Sequence, residues 1–174
     1  MSNLIYLRPL QISDAQISYQ WRNNPEIWKL TGSKPDQHIT SEMETAWLAG
    51  VLRRTTDKRF AICLKETNQY IGNIHLENIE LSQAQYGGLF IGEPSYWSKG
   101  IGTQASALLI DYAFETLQVE KLYGFVRKEH SASRRMLEKG GFDAVEQSAA
   151  WVKISMERTA WLSQKTRKEV ATSQ

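Results

Sequence analysis

A mixed α/β fold follows from two patterns in the chain. Strand-like alternation with a hairpin signal occupies the middle, and a strand–helix–strand–helix run follows it in the second half. The length of 174 residues suits one domain with a single sizeable core. Together these predict a mixed sheet with helices packed on it, in a domain covering residues 1–164 and followed by a polar tail over 165–174.

The elements follow in order. Residues 5–8 read as a short strand that Pro9 stops. Ser13 is the expected N-cap of a helix reaching Asn23, ended by Asn24-Pro25 because a residue before proline avoids helical angles. After a loop over 32–38, Thr40 caps a second helix. Its apolar residues Met43, Ala46, Trp47, Gly50 and Val51 recur at i, i+3, i+4, i+7 and i+8. Phe60, Ile62 and Leu64 alternate as a strand, and the turn Thr67-Asn68-Gln69 leads to a strand over 70–78. A third strand spans 86–92. The strongest helix spans 103–117, with Ala105, Leu108, Leu109, Tyr112, Ala113 and Leu117 on one stripe. A strand over 122–126, a helix over 131–139 stopped by Gly140-Gly141, and a strand over 151–156 complete the pattern.

Charge and cysteine usage narrow the function. The chain carries 21 Lys+Arg against 19 Asp+Glu, a net of +2, with no basic stripe of the kind that nucleic-acid binders display. Arg53, Arg54, Lys58 and Arg59 read as a solvated helix end, and Lys165, Arg167 and Lys168 as part of the tail. Nucleic-acid and membrane partners are therefore not expected. Cys63 is the single cysteine, so an internal disulfide is impossible and a cysteine zinc cluster is excluded. The start Met1-Ser2-Asn3 lacks the features of a signal peptide, and a cytoplasmic protein is expected.

The stretch Tyr96-Trp97-Ser98-Lys99-Gly100-Ile101-Gly102-Thr103 lies between a strand and the start of the strongest helix. Glycines there let a backbone approach a ligand closely, and free N–H groups at a helix start attract phosphate oxygens. Gly100-x-Gly102-x-x-Ala105 formally fits a dinucleotide fingerprint, but that motif needs a tight strand-to-helix turn, and residues 93–99 intervene here.

The same stretch resembles motif A of the GNAT superfamily of acyl-CoA N-acyltransferases, Q/R-x-x-G-x-G/A, with Trp97 at the first position and Gly100 and Gly102 at the small ones. Trp97 and the preceding Ile91-Gly92-Glu93-Pro94-Ser95-Tyr96 are similar to the branch that includes ribosomal-protein alanine acetyltransferases. Leu7-Arg8-Pro9-Leu10, the segment Gly72-Asn73-Ile74-His75-Leu76-Glu77, and His130-Ser131-Ala132-Ser133 with Leu137-Glu138-Lys139-Gly140-Gly141-Phe142 resemble further family segments in the family's order. The resemblance implies a mixed, mostly antiparallel sheet of about seven strands with helices on both faces. It implies acetyl-CoA as acyl donor. Phe90, Ile91 and Gly92 would meet the pantetheine arm, and Trp97, Ser98, Lys99, Gly100, Ile101, Gly102 and Thr103 the pyrophosphate. His130, where the family usually carries Asn, and Ser133 would add contacts. Dimers are frequent in the family, so a homodimer is a possibility the resemblance carries.

Acetyl transfer to an amine needs a base, because an ammonium has no lone pair. It also needs a donor to polarise the thioester carbonyl, for which a backbone N–H near Ile91 or Gly92 is the candidate. The family's usual acid and base positions hold Leu137 and Gly87-Gly88. Period-2 logic supplies another candidate: with Ile74 and Leu76 inward, Asn73, His75 and Glu77 share the opposite face. Glu77 or His75 would draw the proton, although an ordinary wet strand face has the same pattern. Glu93 is expected to face solvent. Trp21-Arg22-Asn23 is similar to a segment near the substrate of sugar-nucleotide amine acetyltransferases, so Trp21 and Arg22 are the substrate-binding candidates. The expected activity is acetylation of a primary amine, an amino sugar or nucleotide-linked amino sugar first, a protein N-terminus or polyamine next. A non-catalytic acyl-CoA sensor is the alternative, and no metal is expected.

Overall fold

The computed structural model describes residues 3–173; residues 1, 2 and 174, at the ends of the expected domain and tail, lie outside the described residues. The fold is mixed α/β, an open seven-stranded mixed sheet with flanking helices. Its strands are β1 (Ile5–Pro9), β2 (Lys58–Leu64), β3 (Tyr70–Glu77), β4 (Gln83–Ile91), β5 (Lys121–Arg127), β6 (Asp143–Gln147) and β7 (Trp151–Glu157), in the order β1-β2-β3-β4-β5-β7-β6. Its helices are α1 (Ala15–Asn23), α2 (Pro25–Thr31), α3 (Ser41–Val51), α4 (Ile101–Asp111), α5 (Ser131–Gly140) and α6 (Arg158–Thr172). The chain forms two compact units. The first runs through His75 and takes in Gly88–Leu108; the second comprises Leu76–Gly87 and the chain from Leu109.

In the first unit β1 pairs antiparallel with β2, from Ile5↔Leu64 to Pro9↔Phe60. Ser13 does not cap α1. The chain enters through a 3₁₀ turn at Ile12–Asp14, and the buried Asp14 carboxylate does the work instead. It accepts the Gln11 N–H at 2.8 Å and both Arg8 guanidinium nitrogens at 2.8 and 2.7 Å. That fork holds Arg8 charged beyond its already basic range. The Pro25 that was expected only to end a helix opens α2, since proline suits a first helical position and Asn24 caps it by accepting the Glu26 N–H at 3.0 Å.

In α3 the buried positions are Glu44, Leu48 and Val51, while Trp47 is 42% exposed. The expected stripe is thus rotated, because Glu44 finds partners inside: it accepts from Ser18 Oγ at 2.9 Å and from Arg22 at 3.1 Å. A paired carboxylate can occupy a core position that an unpaired one cannot. The core of this unit gathers Leu10, Ala15, Trp21, Ile27, Leu48, Val51, Ala61, Cys63 and Tyr70. Cys63 is fully buried, and loss of water around it pushes its thiol above the usual range.

In the second unit β4 and β5 run parallel from Gln83↔Lys121 to Tyr86↔Gly124, and β5 pairs antiparallel with β7 from Lys121↔Glu157 to Arg127↔Trp151. Strand β6 had no expected counterpart. All five of its residues are exposed, so it lacks the alternating apolar signal, and pairing with β7 alone defines it. Residues 165–172 are not a loose tail but the end of α6. What fixes α6 is Trp161: it is buried, packs on Phe114 at 5.4 Å, and donates its indole N–H to Asp111 at 2.8 Å. It meets a π-turn over Tyr112–Thr116, where the expected long helix departs from α geometry. No helix among the described residues is long and apolar enough to cross a membrane.

Candidate active site

In the first unit the end of β4 is held by two tryptophans. Gly92 lies against the Trp21 indole so closely that a Cβ there would fall 2.0 Å from a ring carbon. Only glycine fits. Trp21 is 4% exposed, packs on Tyr70 and Phe90, and donates its Nε1–H to Glu93 at 3.1 Å. The expected substrate-facing Trp21 is therefore a core residue, and Glu93 is an inward hydrogen-bond partner rather than a solvated acid. Arg22 is also engaged, with Glu44 and above the Trp47 ring at 5.2 Å. Trp97 packs on the same core and donates its Nε1–H to the Ile91 carbonyl at 2.9 Å. The Gly92 N–H is spent on the Ile71 carbonyl at 2.7 Å. Of the two backbone donors considered for the thioester carbonyl, Gly92 is thus occupied and Ile91 is the candidate.

The loop that follows is open. Ser98, Lys99 and Gly100 are exposed; Ser98 and Gly100 have positive φ, +59° and +77°, and a Cβ at Gly100 would meet nothing within 4 Å. Lys99 stands over the Tyr96 ring at 5.3 Å. Ile101 is buried and anchors the start of α4, whose first intrahelical bond is from the Gln104 N–H to the Gly100 carbonyl at 3.1 Å. The N–H groups of Ile101, Gly102 and Thr103 precede that bond, so the helix gives them no acceptor and its dipole makes them attractive to anions. An uncrowded glycine, unsatisfied N–H groups and a nearby ammonium fit the pyrophosphate of a coenzyme A thioester.

The remaining predicted residues fall in other places. His75 is half-buried on β3 and belongs to the first unit; Glu77, two residues on, belongs to the second. In the second unit His130 is the N-cap of α5 without a side-chain cap bond, its N–H donating to the Arg127 carbonyl at 3.0 Å. Ser133 is exposed on that helix. Leu137, at the position where the family often carries an acid, is 4% exposed and serves the core.

One face of the second unit forms a groove of about 580 Å³ that includes Glu77, Gln85, Phe125, Gln147, Ser148 and Trp151, with Glu146 and Lys153 on its wall. Glu77 accepts the Gln85 side-chain N–H at 2.9 Å. Phe125 is 47% and Trp151 42% exposed, and the Arg127 guanidinium lies 5.3 Å from the Trp151 ring centre. Lys153 pairs with Glu146 at 3.4 Å. Sequence reasoning found Glu77 here and missed the others. The signal was present in β5 and β7: Leu122, Gly124 and Val126 are buried, as are Val152 and Ile154, so Tyr123, Phe125, Trp151 and Lys153 share the opposite face. Two aromatics on the wet face of a sheet are unusual, and they make this groove a candidate.

Comparisons with known proteins identify the family. The acetyltransferase (GNAT) domain family matches residues 5–143. An N-acetyltransferase 9-like protein of Caenorhabditis briggsae is 31% identical over 165 residues, 87% of this chain and 80% of that one. Among solved structures, spermidine N-acetyltransferase from Vibrio cholerae, in complex with CoA and spermine, superposes with a TM-score of 0.81 at 18% identity, covering 92% of this chain and 99% of that one. FdhC, a nucleotide-linked sugar GNAT, superposes with a TM-score of 0.80 at 19% identity, covering 96% and 94%. With the family model matched over most of its length, the chain belongs to the GNAT family of acetyl-CoA-dependent N-acetyltransferases.

Proposed function

We propose that the acceptor is the primary amine of an amino sugar, free or nucleotide-linked, held in the groove of the second unit. The observation that carries this reading is the groove's composition: exposed rings of Trp151 and Phe125 beside Gln85, Gln147, Ser148 and Glu77. An aromatic plane accommodates the apolar face of a sugar, and amide, hydroxyl and carboxylate groups pair with its hydroxyls. Acetyl-CoA supplies the acyl group as a thioester. The N–H groups of Ile101, Gly102 and Thr103 hold its pyrophosphate, and the Ile91 N–H meets its carbonyl oxygen. Glu77 takes the ammonium proton, directly or through water, and the Gln85 bond orients the carboxylate for it. No protein acid is required at Leu137, since a thiol with a pKa of about 8.5 leaves as thiolate.

Two carboxylates and two rings would also attract a linear polyamine, and this is the second reading. Against it, Glu146 is already paired with Lys153, which leaves Glu77 to face a polycation. Thiol release from acetyl-CoA, measured across amino sugars, nucleotide-linked amino sugars, N-terminal peptides and polyamines, separates the cases. Selective turnover of sugar amines is expected; selective turnover of spermidine-like amines or of peptides would overturn the sugar reading.

A further inference from the structure

The Ile91–Gly92 peptide plane is fixed at both ends. Its N–H donates to the Ile71 carbonyl at 2.7 Å, and its C=O accepts the Trp97 indole N–H at 2.9 Å. The peptide is trans, so these groups point in opposite directions, and Trp97 meets the strand from the side away from β3. The preceding peptide is turned the opposite way, as successive peptides of a strand are. The Phe90 carbonyl points at Gly72 on β3, where a Cβ would fall 2.4 Å from it. The Ile91 N–H, trans to that carbonyl, therefore faces away from β3, the side on which Trp97 caps the Ile91 carbonyl. Over the plane lies the Trp21 ring, with no room for a side chain at position 92.

We propose that Trp97 is a positioning residue: its indole N–H, by capping the Ile91 carbonyl, holds the Ile91 N–H on the line of the thioester carbonyl. This assigns Trp97, expected only to contact the cofactor, a task carried out through the backbone. The proposal rests on acetyl-CoA as donor and not on the choice of acceptor. The gain comes from pre-organisation: a donor already aimed at developing negative charge needs no reorganisation during reaction. Without the cap the Ile91–Gly92 peptide turns about ψ of Ile91, the backbone on the other side of the Ile91 Cα shifts with it, and the Ile91 N–H loses its aim while the pyrophosphate contacts, made by other residues, stay.

The test is the infrared stretch of the thioester carbonyl in [1-¹³C]acetyl-CoA bound to the protein, read with the dissociation constant and the rate of thiol release to the best amine of the panel. In the wild type the band should lie below its position in free acetyl-CoA, since a hydrogen bond weakens the C=O bond. In Trp97→Phe most of that displacement should vanish and turnover should fall about 10-fold. The dissociation constant should stay within about threefold of the wild type. Replacing Trp97 by 3-benzothienylalanine, which keeps the ring and exchanges N–H for sulfur, should give the same result even where Phe loosens the fold. An unchanged band in either well-folded variant would overturn the proposal, as would loss of affinity in step with turnover. An undisplaced band in the wild type would overturn it too. A displaced band with no transfer to any sugar amine would refute only the acceptor reading.

Discussion

The end of β4 in the first unit and the groove in the second are built from different materials. Around Ile91 and Gly92 the working groups are backbone N–H and C=O, and the tryptophans that hold them are buried or half-buried. Position 92 tolerates no side chain. In the groove the groups on offer are side chains, Glu77 and Gln85 among them, and the aromatics Phe125 and Trp151 stand about half in solvent. On the function proposed above, the difference teaches how donor and acceptor are each specified. A donor thioester is invariant and can be met by fixed backbone; an acceptor is particular and must be met by side chains that are free to differ.

Several changes would break or sharpen that contrast. Gly92→Ala forces a methyl into the Trp21 ring and should cost about 3 kcal/mol of stability, near the upper end for overpacking, as read from urea unfolding. A loss under about 0.5 kcal/mol would show that the clamp yields. Glu77→Gln should leave unfolding unchanged and lower kcat about 100-fold, with the loss recovered in part at high pH, where the amine deprotonates without help. Retained activity would remove Glu77 from the mechanism. Trp151→Ala should raise the acceptor KM about 10-fold and leave the affinity for acetyl-CoA alone, since it removes a stacking surface. Equal effects on both substrates would erase the division between the two regions.

The smallest effect concerns alkaline pH. Burial raises Tyr70 well above its ordinary value near 10, and Tyr112 and Tyr123 are raised too, chiefly by loss of water. A raised folded pKa means that the folded state keeps its proton while the unfolded chain releases it. That contribution is complete below pH 10 and declines as pH rises beyond it. Tm should therefore fall above pH 10, and Tyr70→Phe should flatten the decline. The same variant lowers Tm by a few degrees at neutral pH, because the Tyr70 hydroxyl bonds to Asn73 at 2.6 Å. A wild-type Tm that is flat from pH 9 to 11 would contradict the shift.

The sequence carried the donor side further than the acceptor side, for a physical reason. Glycines at positions with left-handed angles or no space leave a spacing signature, and Gly92, without space, and Gly100, with a positive φ, belong to one. Strands β3 and β5 alternate, β7 does so over its first half and β2 is a short apolar run, so their existence was legible, and so was the amphipathic α4. Strand β6 was invisible because both of its faces are wet, and α6 because Trp161 is the only buried residue on it. Trp21 misled the reading: an indole in a substrate-like sequence context proved to be a buried wall behind Gly92, with Arg22 engaged by Glu44. The groove needed tertiary pairing, since Phe125 and Lys153 become neighbours only through the β5–β7 register.

The burial of Cys63 has a practical outcome. A lone thiol, sealed from solvent and reluctant to ionise, gives an aromatic disulfide reagent nothing to attack in the folded chain. Colour developed during turnover then counts free coenzyme A molecule for molecule, without a protein background to subtract. One extra equivalent of colour per chain signals instead that the fold has opened, so the same cuvette reports catalysis and integrity together.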